Sequence, residues 1–568
     1  MNDDTLPAPA VAYFSMEIAL RDDIPSFSGG LGVLAGDHLR AAADLGIDMV
    51  GVTLLYRQGY FRQRIDDAGR QTEEPVAWDP ETALEPLDLK ATVHMSGRDV
   101  AVRPWRFVIR GAGGHAVPVL LLDTDLDTND DEDRAITDQL YGGDLDHRLR
   151  QEAVLGLGGM AVLEELGWGT VPTLHMNEGH SALLTLAALR DTTGPDHKPN
   201  EEAVAAVRSR CVFTTHTPVP AGHDRFPEPL VRAVLGDPLA SELGTLGCLS
   251  EGELNMTRLG MFFARFVNAV SVRHGEVSRS MFPGEPIRTV TNGVHGATWV
   301  APSVAELFDR HLEGWRRNNA MLRSALAIPL DELQAAHDTA KTRLVDLVSQ
   351  RTGVRLDPTA FTLGIARRAA VYKRLDLLLR HPERLRAVAD RFGPMQIVYS
   401  GKAHPRDDPG KDAIVRVHEQ AKALVGSVGF VYLEDYSLEV AKVLCAGADL
   451  WVNTPIRPYE ASGTSGMKAA LNGVPSLSVL DGWWVEGELE GVTGWSIGDR
   501  SDPVDDDADA GELYDKLGGV IAPLFFEQPS AFRDVGRFAI ALNGSYFNTE
   551  RMVREYATVA YGASVCPP

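Results

Sequence analysis

The chain switches repeatedly between two hydrophobic periodicities, and this switching limits what it can fold into. Short β-branched runs recur at Ile47 to Leu55, Val171 to His175, Cys211 to Thr215, Ile287 to Thr291, Thr362 to Ala366, Gln396 to Ser400, Asp449 to Val452 and Pro475 to Leu480. Runs apolar at successive positions are buried on both faces, as parallel strands are. Helix-period segments separate them, among them Leu149 to Leu166, Ala320 to Gln350, Leu375 to Arg391 and Leu438 to Ala446. The alternation is βαβα, so the fold class is α/β.

With 568 residues, two or three large α/β domains fit better than four small ones. The charged stretch Glu313 to Gln350 interrupts the strands after Trp299, and the boundary between two doubly wound domains is placed near residue 298. The expected division is 1–298 and 299–534, with helices from roughly 535 to 568 packing back on the first domain.

Charge excludes two classes of partner. There are 55 Lys+Arg against 79 Asp+Glu, a net −24 without any long basic run. Nucleic acids and anionic membranes need a basic footprint, so neither is expected. Any anion site must be locally basic. The cysteines Cys211, Cys248, Cys445 and Cys566 are scattered, which suits a reducing compartment better than a disulfide framework or a zinc site. Met1 to Ala10 is acidic and Pro-rich, and no apolar run approaches the ~18 residues of a membrane span. The expectation is a cytoplasmic protein, with the acidic run Asp502 to Asp509 as a solvated loop.

In open parallel sheets ligands gather past the carboxyl ends of strands. Six such exits here are polar: His175 to His180, His216 to Asp224, Asn292 to His295, Arg367 to Arg374, Gly401 to Arg406 and Arg457 to Lys468. One shared cleft accounts for all six. The sharpest stretch is Tyr459-Glu460-Ala461-Ser462-Gly463-Thr464-Ser465-Gly466-Met467-Lys468. A Ser/Gly/Thr-rich turn opening a helix offers free N–H groups to an anion, and a lysine one turn inside suits pyridoxal phosphate, which needs an amine for its aldehyde. An ordinary helix cap with an exposed lysine is the plain alternative.

Arg367, Arg368, Lys373 and Arg374 cluster where a strand is expected to hand over to a helix; Arg368 and Lys373 suit a phosphate, or else a solvated basic face. Ser28-Gly29-Gly30-Leu31-Gly32 is a glycine turn opening a helix, a weak signal alone. His216 follows an apolar strand. His175-Met176-Asn177-Glu178-Gly179-His180 carries two histidines and a carboxylate, but neither the spacing nor a third ligand of a metal site.

Taken together these stretches resemble the α-glucan (glycogen, maltodextrin and starch) phosphorylases, most of all their shorter bacterial and archaeal branch. The likeness runs through Tyr13 to Glu17, Ser28 to Asp37, His175 to His180, Thr215 to Gly222, Thr291 to His295, Arg367 to Arg374, Gly401 to His404, Glu460 to Lys468 and Leu480 to Gly482. It implies a GT-B fold of two Rossmann-like domains facing a cleft, the first taking glucan and the second the cofactor. Pyridoxal phosphate on Lys468 would act through its phosphate, in retaining transfer of a glucosyl unit to inorganic phosphate, giving α-glucose 1-phosphate. Arg368 and Lys373 would bind the attacking phosphate. Thr464, Ser465, Gly29, Gly30 and Arg367 would hold the cofactor phosphate, and Tyr436 its ring. Asn292, Glu460, Ser462 and Gly463 would meet glucose hydroxyls, with the carbonyl of His216 facing the developing charge. α-Glucan or maltooligosaccharide would be the partner, and homodimers are usual in the family.

Arg367, Ala370 and Ser465-Gly466 depart from the animal and plant pattern of Lys, His and Gly-Asn, so allosteric control is not expected and the preferred glucan, or a specialised α-glucoside, stays open. A nucleotide-sugar synthase of the same fold would resemble Lys-x-Gly-Gly-Leu at the first loop, where Phe27 precedes Ser28, and Glu-Pro-x-Gly-Leu where this chain has Glu460 to Thr464. A non-catalytic glucan-binding relative would have lost Lys468, Arg368 or Lys373, and all three are present.

Overall fold

A computed structural model describes residues 8–193, 199–499 and 504–563; Cys566 and part of the acidic run lie outside the described residues. Two sheets carry the fold. In the first, β1 (Val11–Phe14), β2 (Met49–Leu54), β3 (Arg98–Arg110), β4 (Ala116–Asp123), β5 (Thr173–Asn177), β6 (Cys211–Thr214), β7 (Phe266–Ala269) and β8 (Arg288–Thr289) lie in the order β8-β7-β6-β5-β1-β2-β4-β3. Every neighbour pair is parallel except β3 with β4. The second sheet has β9 (Phe361–Ala366), β10 (Met395–Ser400), β11 (Val428–Leu433), β12 (Leu450–Asn453), β13 (Ser476–Val479) and β14 (Gly494–Ile497) in the order β11-β10-β9-β12-β13-β14, all parallel.

Counted along the chain, the parallel strands of the first sheet run 3-2-1-4-5-6-7 and those of the second 3-2-1-4-5-6. The winding reverses beside the first strand of each sheet, and there the carboxyl ends leave a crevice. β1 is only four residues long, yet all four are buried between β2 and β5. Apolar clusters cover both faces of each sheet, and a further cluster joins Trp299, Trp315, Met467, Trp483, Trp484 and Phe547 where the two sheets' connections meet. Large side chains fully buried in this way contribute about 1.5–3 kcal/mol each. The terminal helix Thr549–Tyr556 packs on the first sheet: Met552, Val553 and Tyr556 join Val11, Tyr13 and Leu39, and Asn268 Nδ2 donates to Tyr556 Oη at 2.8 Å.

Contacts across the molecule bring the carboxyl ends of both sheets together. A hairpin of Arg62–Ile65 and Gln71–Glu74 carries two buried glutamines onto the second sheet. Gln63 Nε2 donates to Gly401 O at 2.8 Å, and Gln71 Nε2 to Ala403 O at 3.0 Å. Ser271 Oγ, past β7, donates to Ala461 O at 2.7 Å. Asp22, past β1, caps the helix Leu438–Gly447 by accepting from Leu438 N at 2.7 Å and Glu439 N at 3.0 Å.

The eight expected strands are strands, though β8 keeps only Arg288–Thr289. Helix boundaries differ where proline intervenes. The expected helix Ala320 to Gln350 is a 3₁₀ segment Asn319–Ala327 and a helix Leu330–Thr352, divided at Pro329 and stopped by Gly353 at φ 72°. Pro382 likewise starts the helix Pro382–Phe392, since proline suits a first turn and breaks an interior one. The basic stretch after β9 does not enter an α-helix: it bends through a 3₁₀ turn Val371–Lys373 into Arg374 at φ 45°. Among the described residues no helix is long and apolar enough to cross a membrane.

Candidate active site

The turn after β12 delivers Lys468. Gly463 takes φ 81°, open to glycine at little cost, and the helix Ser465–Leu471 follows. A Cβ on Gly466 would come within 2.8 Å of Trp483, so the turn packs closely there. Lys468 is 5% exposed, and its Nζ lies 3.7 Å from the centre of the Trp299 ring. Among the described residues the amine has no hydrogen bond or ion pair. Burial holds its pKa below the ordinary lysine value, against the opposing pull of Cys445 and Asp37, with Lys442 adding to the lowering. A buried, unpaired amine is more readily neutral, and therefore more nucleophilic, than a surface lysine.

Ser28 N and Gly29 N both donate to Glu17 Oε2, at 2.6 and 3.1 Å, and the helix Gly30–Asp44 starts from that turn. A Cβ on Gly29 or Gly30 would meet no atom within 4 Å, whereas one on Gly32 would strike Phe27 and Glu17. Both glycines face open space at a helix N-terminus, and with Gly29 N–H taken by Glu17 it is Gly30 that offers a group the size of a phosphate a direct approach to a backbone N–H.

Past β9 the basic residues divide their work. Arg367 is buried, donating from Nη1 to Lys373 O at 3.0 Å and from Nη2 to Val452 O at 2.7 Å; its Nε has no partner among the described residues. Burial brings its pKa down to about 10. Arg368 is exposed, makes no hydrogen bond or ion pair among the described residues, and shares its surroundings with Tyr60 and His404, both of which feel its charge. Lys373 is half-buried in an ion pair with the buried Glu460. Burial works against that ammonium, and Glu460 more than offsets it, so the Lys373 pKa lies above its ordinary value.

Glu460 N donates to Asp481 Oδ2 at 2.8 Å and Gly482 N to Asp481 Oδ1 at 2.9 Å. Burial, with Glu460 nearby, raises Asp481 to about 7 despite those amides. Two buried side-chain atoms here lack any partner among the described residues, Asn292 Oδ1 and Ser462 Oγ. Unsatisfied buried polar atoms are costly, and hydroxyl groups of a ligand would satisfy both.

His216, past β6, is clamped twice. Its backbone N–H donates to Glu178 Oε2 at 2.7 Å, and its Nε2 lies 2.7 Å from Asn177 Oδ1. Burial lowers its pKa to about 3, so the ring is neutral near pH 7. Glu178 also accepts from Thr217 Oγ1 at 3.0 Å while holding φ 84°, ψ 166°, a conformation almost confined to glycine. Tyr436 is half-buried between two apolar clusters, and burial pushes its hydroxyl pKa up, Cys445 adding to it. Ser465 Oγ accepts from Trp451 Nε1 at 3.2 Å.

The structure thus gathers Lys468, Lys373, Glu460, Ser462 and Asn292 near the meeting carboxyl ends, and commits most of Arg367 to backbone carbonyls. Reasoning from sequence missed Trp299, Asp37 and the clamp by Glu178. An aromatic seven residues past Asn292 was the available signal for the first.

Two sheets that meet around a buried amine, with an arginine and two buried acceptors unpaired among the described residues, define an α/β protein with a polar cleft between the carboxyl ends of its strands. A family model described as carbohydrate phosphorylase matches residues 240–491, a stretch that contains Asn292, Trp299, Arg368, Lys373 and Lys468. A maltodextrin phosphorylase of Thermococcus litoralis is 38% identical, the match covering 98% of this chain and 71% of the relative. The figures are 37%, 97% and 70% for a glycogen phosphorylase of Mycobacterium tuberculosis, and 34%, 98% and 87% for one of Aquifex aeolicus. The chain belongs to the carbohydrate phosphorylase family.

Proposed function

We propose that this chain is an α-glucan phosphorylase, moving the terminal α-1,4-linked glucosyl unit of a glucan or maltooligosaccharide to inorganic phosphate with retention, to give α-glucose 1-phosphate reversibly. Relatives named for glycogen and maltodextrin support the reading. So does the strand order of the two sheets, which we take as the halves of a GT-B fold, 1–298 and 299–534, with the terminal helices returned to the first.

The observation that carries the reading is Lys468: a buried amine without a polar partner among the described residues, near a glycine turn that faces open space. These residues fit pyridoxal phosphate. Lys468 would tether it, the N-terminus at Gly29 and Gly30 with Thr464 and Ser465 would receive its phosphate, and Tyr436 and Trp299 would flank its ring. When bound, that cofactor supplies a phosphate able to exchange a proton with the substrate phosphate.

The chain's own groups do the rest. Arg368 and Lys373 offset the charge of substrate phosphate, which a second phosphate would otherwise repel strongly in a poorly solvated cleft. Glu460, held by Lys373 and by Asp481 through its backbone, presents a fixed carboxylate to sugar hydroxyls alongside Asn292 and Ser462. Neutral His216 leaves its carbonyl as the partial negative charge facing the anomeric carbon, and the Glu178 clamp fixes its direction.

The test is borohydride reduction of purified protein, with peptide mapping around Lys468, beside a phosphorolysis assay on maltooligosaccharides. A reduced pyridoxyl-phosphate adduct on Lys468, with glucose 1-phosphate released only when phosphate is present, is expected. An unmodified lysine in cofactor-replete protein, or release driven by a nucleotide, overturns it.

A further inference from the structure

A cavity of about 230 Å³ lies beside the helix Gly30–Asp44, bordered by Ala19, Val33, Asp37, Arg40, Trp299 and Lys442. Val33, Asp37 and Arg40 stand four and then three residues apart, so they share one face of that helix. The cavity therefore follows the helix from its first turns inward, and the open Gly29-Gly30 turn lies at its start.

Asp37 is 1% exposed. Its Oδ2 accepts from Trp299 Nε1 at 2.6 Å and from His295 N at 3.1 Å. Its Oδ1 has no hydrogen bond among the described residues; Arg40 Nη1 stands off at 3.7 Å. The indole that binds Asp37 through its N–H is the one whose face carries Lys468. One helix and one indole thus bring together an amine, an open amide turn and an unsatisfied carboxylate oxygen bordering an empty volume.

Pyridoxal phosphate presents three recognisable groups: an aldehyde, a phosphate and a ring nitrogen. Resting on the reading of Lys468 as the cofactor lysine, we propose that the cavity receives the cofactor's pyridine ring and that Asp37 Oδ1 accepts a hydrogen bond from the protonated ring nitrogen. A carboxylate is a known partner for that nitrogen in pyridoxal enzymes of other folds, and the bond is charge-assisted. The other charged groups around the cavity do not displace it. Arg40 is engaged by Ala19 O and Leu20 O as well as by Asp37. Each oxygen of Asp22 already accepts from a backbone amide, of Leu438 or of Glu439. Lys442 and Arg21 are cations, which cannot accept the proton. Chemistry run through the cofactor phosphate has no need of a protonated ring as electron sink, so Asp37 acts here as an anchor.

The experiment reconstitutes wild type and Asp37→Asn with pyridoxal phosphate carrying ¹⁵N in the ring, and reads the bound nitrogen by NMR together with cofactor loss on dialysis. Asparagine keeps an oxygen for Trp299 and His295, and a thermal melt checks that the variant is folded. The wild-type nitrogen is expected in the pyridinium range. In the variant it should move to the neutral range, with cofactor affinity about tenfold or more weaker, the worth of one hydrogen bond to a charged group. A neutral ring nitrogen in wild type overturns the proposal whatever the variant does, as does a variant spectrum identical to wild type. Wild-type protein that takes up no cofactor at Lys468 overturns the underlying reading, an outcome distinct from either.

Discussion

Lys468 and Trp299 are far apart in the chain and meet with the lysine nitrogen 3.7 Å from the centre of the indole ring. The contact hides the amine from water without giving it a hydrogen bond. Lys468→Ala should therefore abolish cofactor incorporation and phosphorolysis, because the tether is gone. The loss of stability should be small for a buried site, since an ammonium that burial already disfavours contributes little to the fold. Absorbance of the bound cofactor and a thermal melt check the two halves; full activity in cofactor-free Lys468→Ala protein would contradict the assignment.

Glu460 is buried and paired with the half-buried Lys373. Glu460→Gln leaves the ammonium without its counter-charge, a change that costs about 3–5 kcal/mol when a buried pair is broken on one side. A phosphate ion can then take the place of the lost carboxylate. Inorganic phosphate should raise the melting temperature of Glu460→Gln more than that of wild type; equal shifts would mean that Lys373 does not face the phosphate site.

Arg368 differs from its neighbour in being exposed and unpaired among the described residues, while Arg367 is spent on Lys373 O and Val452 O. Arg368→Ala should raise KM for phosphate about tenfold or more, as loss of one charge-assisted contact does, and leave KM for glucan nearly unchanged. Arg367→Ala should instead lower stability. Steady-state kinetics at varied phosphate and a denaturation curve distinguish the two.

Much of this was legible in the sequence because buried parallel strands print their pattern locally. Thr362 to Ala366 and Gln396 to Ser400 read as strands and lie as paired neighbours in β9 and β10. The antiparallel strand β3 escaped, since Pro104 and six arginine or aromatic positions blur its alternation. The glycine turns and the Glu460 to Lys468 stretch also announced themselves locally. Asp37 with Trp299 did not, because the partners are 262 residues apart and only the packing of the first helix against the boundary segment unites them. Nor could spacing show that Arg367 turns its fork inward: that follows from the 3₁₀ bend at Val371–Lys373, which sets the Lys373 carbonyl within reach.

Glu178 shows how strain and position combine. Its φ of 84° and ψ of 166° cost about 1–3 kcal/mol in a residue other than glycine, and its carboxylate holds the backbone of His216 and the hydroxyl of Thr217. Glu178→Gly should be more stable than Glu178→Ala by roughly that strain energy. Both should lower kcat by about 10²-fold, the effect of a misplaced reacting partner, with KM for phosphate unchanged. Melting temperatures compare the pair, and a phosphate KM that rises in step with the loss of kcat would refute the positioning role.

Asp481 offers a test by pH. Its folded pKa of about 7 stands above the ordinary 3.8, chiefly through burial, with the charge of Glu460 adding to the rise and the two amides opposing it. A carboxyl raised in this way stabilises the fold fully below pH ~4, where both states are protonated, and that contribution is lost as pH rises to about 7, because the native state holds its proton longer than the unfolded chain. The loss amounts to at most about 4 kcal/mol at 1.36 kcal/mol per pKa unit. Asp481→Asn cannot titrate. It sacrifices one of the two acceptors used by Glu460 N and Gly482 N at every pH, so its stability is lower in acid, but the gap to wild type should narrow steadily between pH 4 and pH 7. Denaturant unfolding of both proteins across that window measures the gap. A constant difference would place the Asp481 carboxyl near its ordinary pKa and leave the amide bonds as its sole contribution to holding Glu460.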